Sequence, residues 1–350
     1  MLRISAMCRM RSEQPGEVQN LGGSMKKYVK EPFGVTKDGL TVTRYTLENE
    51  NGMRMSVLDY GCRIQKLELM GKDGVMRNVV MGYGEIAPYE GGGCQGALIG
   101  RFANRIKNAA FTLDGTEYRL TVNDHMNYIH GSYEHTLFAC EPSDEALTFT
   151  LTDQAGTFGF PGTLSVKAVY TLTEENAVEL SYEAVTDQPT VVNITNHSYF
   201  NLDGLPEDHR EVSPEEANIF RHKMTVNAEE YLEADEINMV TGAVIPVSGN
   251  RFDFRKEKEI GAELYDHNFC ISGYDGTLRK CAEVKAVSSG IRMEVFTTQP
   301  GVQVYSGAKK AVALETQHFP DGPNHPEWPD TTLRPGGVYT EKTVYRFGLY

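Results

Sequence analysis

The run Leu164-Ser165-Val166-Lys167-Ala168-Val169-Tyr170-Thr171-Leu172, followed by Thr173-Glu174-Glu175-Asn176 and then Ala177-Val178-Glu179-Leu180-Ser181-Tyr182-Glu183-Ala184, has a side-chain period of two on both sides of a polar turn. Leu164, Val166, Ala168, Tyr170 and Leu172 occupy alternate positions, as do Val178, Leu180, Tyr182 and Ala184. Successive side chains of a strand point to opposite faces, so each run carries one apolar face and the pair reads as a β-hairpin. The same pattern continues outward. Phe111 to Leu113 and Tyr118 to Leu120 flank Asp114-Gly115, a pair suited to the positive φ angles of a tight hairpin turn. Val57, Asp59 and Gly61 lead into Ile64 to Leu69, and Gly71-Lys72-Asp73-Gly74 closes that run; Ile291 to Thr297 and Val302 to Tyr305 repeat it near the C-terminus. Helical periodicity is scarce. Its best candidate is Pro214 to His222, with Ser213 as N-cap. The expectation is an all-β chain, one large antiparallel domain of two packed sheets with long loops. One such loop is the Gly/Asp/Pro-rich Asp321 to Pro329, which holds the only tryptophan, Trp328.

A net charge of −14 argues against a nucleic-acid or anionic-membrane partner, because no basic patch offsets the acidic field. Mean hydropathy is −0.40 and no apolar run approaches 18 residues, so no transmembrane helix is expected. The six cysteines, Cys8, Cys62, Cys94, Cys140, Cys270 and Cys281, have no Cys-x-x-Cys spacing and read as reduced thiols of a cytoplasmic protein. Residues 1–24 carry Arg3, Arg9 and Arg11 without the apolar core of a signal peptide. They are expected to be a disordered extension or a mis-assigned start before Met25, with a transit peptide as the rival, and residues 25–350 to form the catalytic domain.

Gly91-Gly92-Gly93-Cys94-Gln95-Gly96 satisfies Gly-x-Gly-x-x-Gly literally. No strand precedes it and no βαβ unit surrounds it, so dinucleotide binding is set aside and the glycines are read as a loop. The chemistry concentrates elsewhere. In Ala313-Leu314-Glu315-Thr316-Gln317-His318-Phe319-Pro320-Asp321 a single carboxylate interrupts a run that reads as a buried strand. Alternation places Ala311, Ala313 and Glu315 on one face, with small neighbours that leave room for a ligand, and Val312, Leu314 and Thr316 on the other. An acidic residue at a strand end, solvated or paired with an arginine, is the plainer alternative. In Thr190 to Leu202, read as a strand, Asn193, Thr195, His197 and Tyr199 share a polar face opposite Val192, Ile194 and Phe200. Amide, hydroxyl, imidazole and phenol together suit a sugar cleft, although His197 taken alone reads more readily as a surface or hydrogen-bonded core histidine.

Further segments carry matching groups: Gly100-Arg101-Phe102-Ala103-Asn104-Arg105-Ile106, Asn127-Tyr128-Ile129-His130-Gly131, Asp266-His267-Asn268-Phe269-Cys270 and Thr298-Gln299-Pro300-Gly301-Val302. Taken in order with Asn193 to Leu202 and Leu314 to Asp321, they resemble the aldose 1-epimerases, or galactose mutarotases, across nearly all of Lys26 to Tyr350. The resemblance implies a large β-sandwich and a cofactor-free, metal-free isomerase that interconverts the α and β anomers of free aldoses such as galactose and glucose. It implies Glu315 as base and His197 as acid, with sugar-binding roles for Asn104, Arg105, His130, Tyr199, Asp266 and Gln299. Arg101 is expected to be structural. Met239-Val240-Thr241-Gly242 stands where the family usually shows Ile-Pro-Thr-Gly, and Leu205 to Phe220 looks longer and more acidic than usual; both bear on loop conformation and sugar preference.

Three rivals remain. His130, His197, Asp266 and Glu315 could form a metal site, though no close-spaced ligand pair pre-organises it. A non-catalytic sugar-binding sandwich would keep the aromatic and amide groups without needing both acid and base. An epimerase of phosphorylated sugars would call for additional arginine or lysine beside the site. The preferred aldose and the oligomeric state are not legible.

Overall fold

The computed structural model describes residues 28–350, so the expected extension 1–24 and its boundary lie outside the described residues. Strands dominate and alternate as the period-two runs demand. Two large antiparallel sheets form. The first has eleven strands, in the order Tyr28–Val35, Thr41–Glu48, Arg54–Leu58, Arg63–Met70, Met76–Val80, Tyr199–Leu205, Val312–Gln317, Gly301–Tyr305, Asp266–Ile271, Ala228–Ala234 and Val240–Pro246. The second has nine: Ala139–Pro142, Ala146–Asp153, Leu164–Leu172, Ala177–Thr186, Tyr339–Leu349, Ile291–Thr297, Arg279–Lys285, Lys223–Val226 and Lys258–Glu259. Among the described residues, no helix is long and apolar enough to cross a membrane.

The core lies between the sheets, and the alternating residues supply it. Val166, Ala168, Tyr170, Val178, Leu180 and Tyr182 from the second sheet share one buried cluster with Val57, Ile64, Leu67, Phe200, Val312 and Leu314 from the first. Aromatic pairs cross the gap: Tyr45 meets Phe149 edge-on at 6.5 Å, and Phe200 meets Tyr345 at 4.9 Å. Tyr345 also donates its hydroxyl to the Leu314 carbonyl at 3.2 Å, so the polar tip of a buried ring has a partner. Each fully buried Leu, Val or Phe contributes roughly 1.5–3 kcal/mol relative to exposure.

The two expected hairpins form. Leu164–Leu172 pairs antiparallel with Ala177–Thr186, and Ala110–Leu113 pairs with Thr116–Arg119 around Asp114 and Gly115 at φ 51° and 79°. Two expectations fail. Pro214 to His222 is not a helix but a series of turns. Ser213 starts one turn by accepting from the Ala217 N–H, yet Asn218 then bonds the Pro214 carbonyl through its amide and the Phe220 N–H through Oδ1, offering the backbone a local alternative to the helix. Thr190 to Leu202 is not one strand. It breaks into Thr190–Val191, Thr195–Asn196 and Tyr199–Leu205, which share no pairing partner: the first two pair with one short strand each and the third with both Val312–Gln317 and Met76–Val80. Asn193 sits in the gap, where its amide donates to the Ala103 and His318 carbonyls and accepts from the His318 N–H.

Arg101 is buried and structural, as expected. Its Nε meets Asp153 Oδ2 at 2.9 Å, and its Nη1 donates to the Pro161 and Gly162 carbonyls. Tyr133 donates to the same carboxylate. Asp153→Ala would strand the guanidinium without its counter-charge, and the expected loss is about 3–5 kcal/mol in urea unfolding. A loss below about 1 kcal/mol would show that the pair is not what fastens this corner of the fold.

Candidate active site

Strand register assembles the floor of the site. Opposite residues in antiparallel pairs lie on the same face. Tyr199 faces Ala313, Ala313 faces Tyr305, and Tyr305 faces Asp266, making one row across four strands. Two residues along, Glu315 faces Gln303, and Gln303 faces Asn268. The faces of the Val312–Gln317 strand are divided as its alternation predicts: Val312 and Leu314 enter the core between the sheets, while Ala311 and Ala313 pack with Met81, Tyr199 and Leu205 on the other side.

Loops complete the walls. Leu98–Ile99 pairs with Thr195–Asn196, and the His197 N–H donates to the Ala97 carbonyl at 2.8 Å, which anchors His197 above the sheet. Arg105–Ile106 pairs with Tyr128–Ile129, which brings Asn104, Arg105 and His130 together. Asn104 and His130 both adopt left-handed backbone, at φ 63° and 61°. That conformation is uncommon for a histidine, and the two residues hold each other in it: the Asn104 N–H donates to His130 Nδ1 at 3.1 Å, and the His130 N–H to the Asn104 carbonyl at 3.3 Å.

The resulting cavity, about 340 Å³, is lined by Asn104, Arg105, His130, His197, Tyr199, Asp266 and Glu315, seven of the eight residues singled out from sequence. At its floor His197 Nε2 lies 3.4 Å from Glu315 Oε1, and the two side chains are 6% and 2% exposed. His197 stacks on Tyr199 at 4.7 Å and meets His130 edge-on at 5.5 Å. Arg105 Nε is held by Asp124 Oδ2 at 2.6 Å, and Asp266 Oδ1 accepts from Gln303 Nε2. A larger groove, about 640 Å³, opens over the Leu164–Leu172 and Ala177–Thr186 strands, but its charged lining is the Lys167–Glu183 pair, without an acid and base set against one another in a buried place.

Burial sets the proton affinities at the floor. It pushes the Glu315 carboxyl well above the usual range, helped by the negative charge of Asp266 and opposed by Arg105. It pushes His197 down to about 3, against a backbone hydrogen bond that favours the charged ring. Both groups resist an isolated charge, so burial favours the form in which the pair as a unit holds a single proton over either group ionised alone. Burial also raises Asp266, again opposed by Arg105, and holds His130 well below its ordinary value.

Gln299 is a correction. It is fully buried outside the cavity, where Nε2 donates to the Ile194 carbonyl at 3.1 Å and the Thr316 carbonyl at 2.8 Å, bracing two segments of the scaffold. Gln303, four residues on, is the glutamine beside the carboxylates. Gln303 and Tyr305 were missed by the sequence reading, although alternation along their strand puts them on one face, the same face as their pairing partners Glu315 and Ala313. Gly93, Cys94, Ile129 and Asn238 also line the cavity and were missed. Cys94 comes from the glycine loop, which Arg63 holds by donating to the Gly93 and Gln95 carbonyls.

Cys94, His130 and His197 place potential ligand atoms within 4.8 Å of one another. The donor set does not suit a metal. A neutral imidazole has one in-plane lone pair, and His130 spends its own on the Asn104 N–H, which leaves the other ring nitrogen protonated and facing outward as a donor.

The aldose 1-epimerase family profile matches residues 43–346. Human galactose mutarotase is 36% identical over 93% of this chain and 100% of its own length, and the aldose 1-epimerase of Escherichia coli K12 is 32% identical over 91% and 99%. Among solved structures, an aldose epimerase homologue from C. elegans superposes with a TM-score of 0.80 at 27% identity, covering 87% of this chain and 98% of that one. Galactose 1-epimerase from Lactobacillus acidophilus gives 0.78 at 25%, covering 92% and 99%. The chain belongs to the aldose 1-epimerase family, a family of isomerases.

Gln299→Ala should lower stability in urea by about 1–3 kcal/mol, because two buried carbonyls lose their donor. Gln303→Ala should instead weaken sugar affinity several-fold with a smaller stability loss. The reverse assignment, with KM moved by Gln299 and not by Gln303, would restore the original reading.

Proposed function

We propose that this protein interconverts the α and β anomers of free aldohexoses, galactose and glucose among them, by general acid–base catalysis. The observation that carries the reading is the buried His197–Glu315 contact of 3.4 Å at the floor of a cavity sized for one sugar ring. A hemiacetal opens when the C1 hydroxyl loses a proton while the ring oxygen gains one. Both oxygens are bonded to the same carbon, so acid and base must be neighbours. With the shared proton on His197, a carboxylate faces an imidazolium and each neutralises the other. Glu315 then takes the hydroxyl proton, the C1–ring oxygen bond breaks as the C1 carbonyl forms, and His197 protonates the departing ring oxygen. Rotation about C1–C2 presents the other face of the aldehyde, and reclosure with the roles exchanged yields the other anomer. The charge on the pair is unchanged over the cycle, which suits a low-dielectric site.

Asn104, Arg105, His130, Tyr199 and Asp266 are assigned to holding the sugar, with Gln303 in place of Gln299. Arg105 and Asp266 offer charged partners to hydroxyls, and His130 offers a ring N–H. The phosphorylated-sugar reading finds little support, since the one cation among the described lining residues, Arg105, is already tied to Asp124. A sugar-binding protein without catalysis would not need an acid and a base in contact. Nor does the proposed chemistry call for a cofactor or metal. The free thiols of Cys62, Cys94, Cys140, Cys270 and Cys281 favour a cytoplasmic setting, and the net charge of −14 disfavours nucleic acid as a partner. Residues 25–350 are taken as the single catalytic domain.

Glu315→Gln and His197→Asn should each lower kcat for mutarotation of α-D-galactose, followed by polarimetry, by roughly 10²- to 10⁴-fold with a smaller change in KM. The double variant should be little worse than the worse single one, because the two act as a unit. Near wild-type turnover of folded Glu315→Gln at saturating sugar would move the base to another carboxylate.

A further inference from the structure

The depth of the cavity orients the sugar within it, given the proposed function. The acid–base pair is buried at the floor, Arg105 and Asp266 are half-buried above it, and Asn238 is exposed at the rim. In a pyranose the C1–ring oxygen bond lies across the ring from the C3–C4 bond. A sugar with its reacting edge on Glu315 and His197 therefore turns its C3 and C4 hydroxyls toward the mouth.

Asn238 comes from the turn joining Ala228–Ala234 to Val240–Pro246 at the sheet edge, immediately before the Met239 to Gly242 stretch. The turn is firmly held. Asp235 Oδ1 accepts from the Ile237 and Met239 N–H groups at 3.0 and 2.9 Å, and the Asn238 N–H donates to the Asp235 carbonyl at 3.0 Å. Asn238 takes φ 59°, a left-handed conformation that asparagine tolerates better than most residues. Its neighbour Met239 is buried with Leu232 and Val240 against Phe319 and Trp328, and His325 stacks on that indole at 3.9 Å. Among the described residues, no protein group takes up the Asn238 side-chain amide. It is a pre-positioned donor and acceptor on a rigid tip.

We propose that Asn238 is a specificity-determining residue that reads the C4 hydroxyl of the sugar and biases the enzyme toward galactose over glucose. Its amide oxygen and nitrogen can bridge two vicinal hydroxyls held cis, as C3 and C4 are in galactose. In glucose the C4 hydroxyl is equatorial and points elsewhere.

The test compares Asn238→Gly with wild type on α-D-galactose, α-D-glucose and 4-deoxy-D-galactose by polarimetry. Glycine removes the amide while keeping the left-handed turn relaxed. The expected result is a fall in kcat/KM of roughly 3- to 10-fold on galactose, the size of one hydrogen bond, and under about 2-fold on the 4-deoxy sugar, where the contact is already missing. The galactose-to-glucose preference should shrink by a similar factor. Equal losses on galactose and the 4-deoxy sugar, or no loss on galactose, would overturn the proposal while leaving the acid–base reading intact. A wild-type protein inactive on every aldose would overturn both.

Discussion

Two ionisable groups that cannot afford separate charges share one buried floor, and the rest of the site is arranged around that contact. Glu315 projects from an interior strand of the eleven-stranded sheet, and His197 is carried over it by a loop bonded to Ala97. Each would be costly to ionise alone at such depth. Together, with one proton between them, they form a neutral unit whose two tautomers match the two directions of a reversible ring opening. Nearby groups tilt this balance: Asp266 favours keeping the proton on Glu315, and Arg105 opposes it.

The sandwich makes this contact reproducible. Val312 and Leu314 fix one face of the strand in the core, which leaves Ala313 and Glu315 no choice but the opposite face, and a one-residue slip would exchange the two sets. Register then aligns Tyr199, Ala313, Tyr305 and Asp266 in one row and Glu315 with Gln303 in the next. The loops add precision at the top. The reciprocal bonds of Asn104 and His130 fix both backbones in left-handed conformations and decide which nitrogen of His130 carries its proton.

The fold was legible wherever one side of a strand is core. The Leu164–Leu172 hairpin and the two faces of Val312–Gln317 follow from alternation alone. Alternation was misleading in Thr190 to Leu202, where Asn193 leaves the ladder to bond backbone from two other segments, a long-range demand invisible in local pattern. Pro214 to His222 failed for a local reason, the competing side chain of Asn218. In the site, recognisable motif strings located seven cavity residues, but the string around Gln299 pointed to the wrong glutamine. Applying strand alternation outward from Glu315 through its pairing partner would have reached Gln303 and Tyr305. Cys94 and Asn238 lie on a glycine loop and a hairpin tip whose course depends on packing against distant residues, and no periodicity announces them.

The pH dependence of kcat/KM for mutarotation of α-D-galactose tests the shared proton most directly, since it reports ionisations of the free enzyme. With His197 lowered to about 3, the pair gains a second proton only in strong acid; with Glu315 raised well above the usual carboxylate range, it loses the last proton only on the alkaline side of that range. The account predicts a bell whose acid limb lies well below the ordinary histidine value of about 6.5, with the active one-proton form between the limbs. A profile that rises or falls through a single step near 6.5, as a freely titrating imidazole would produce, would contradict it.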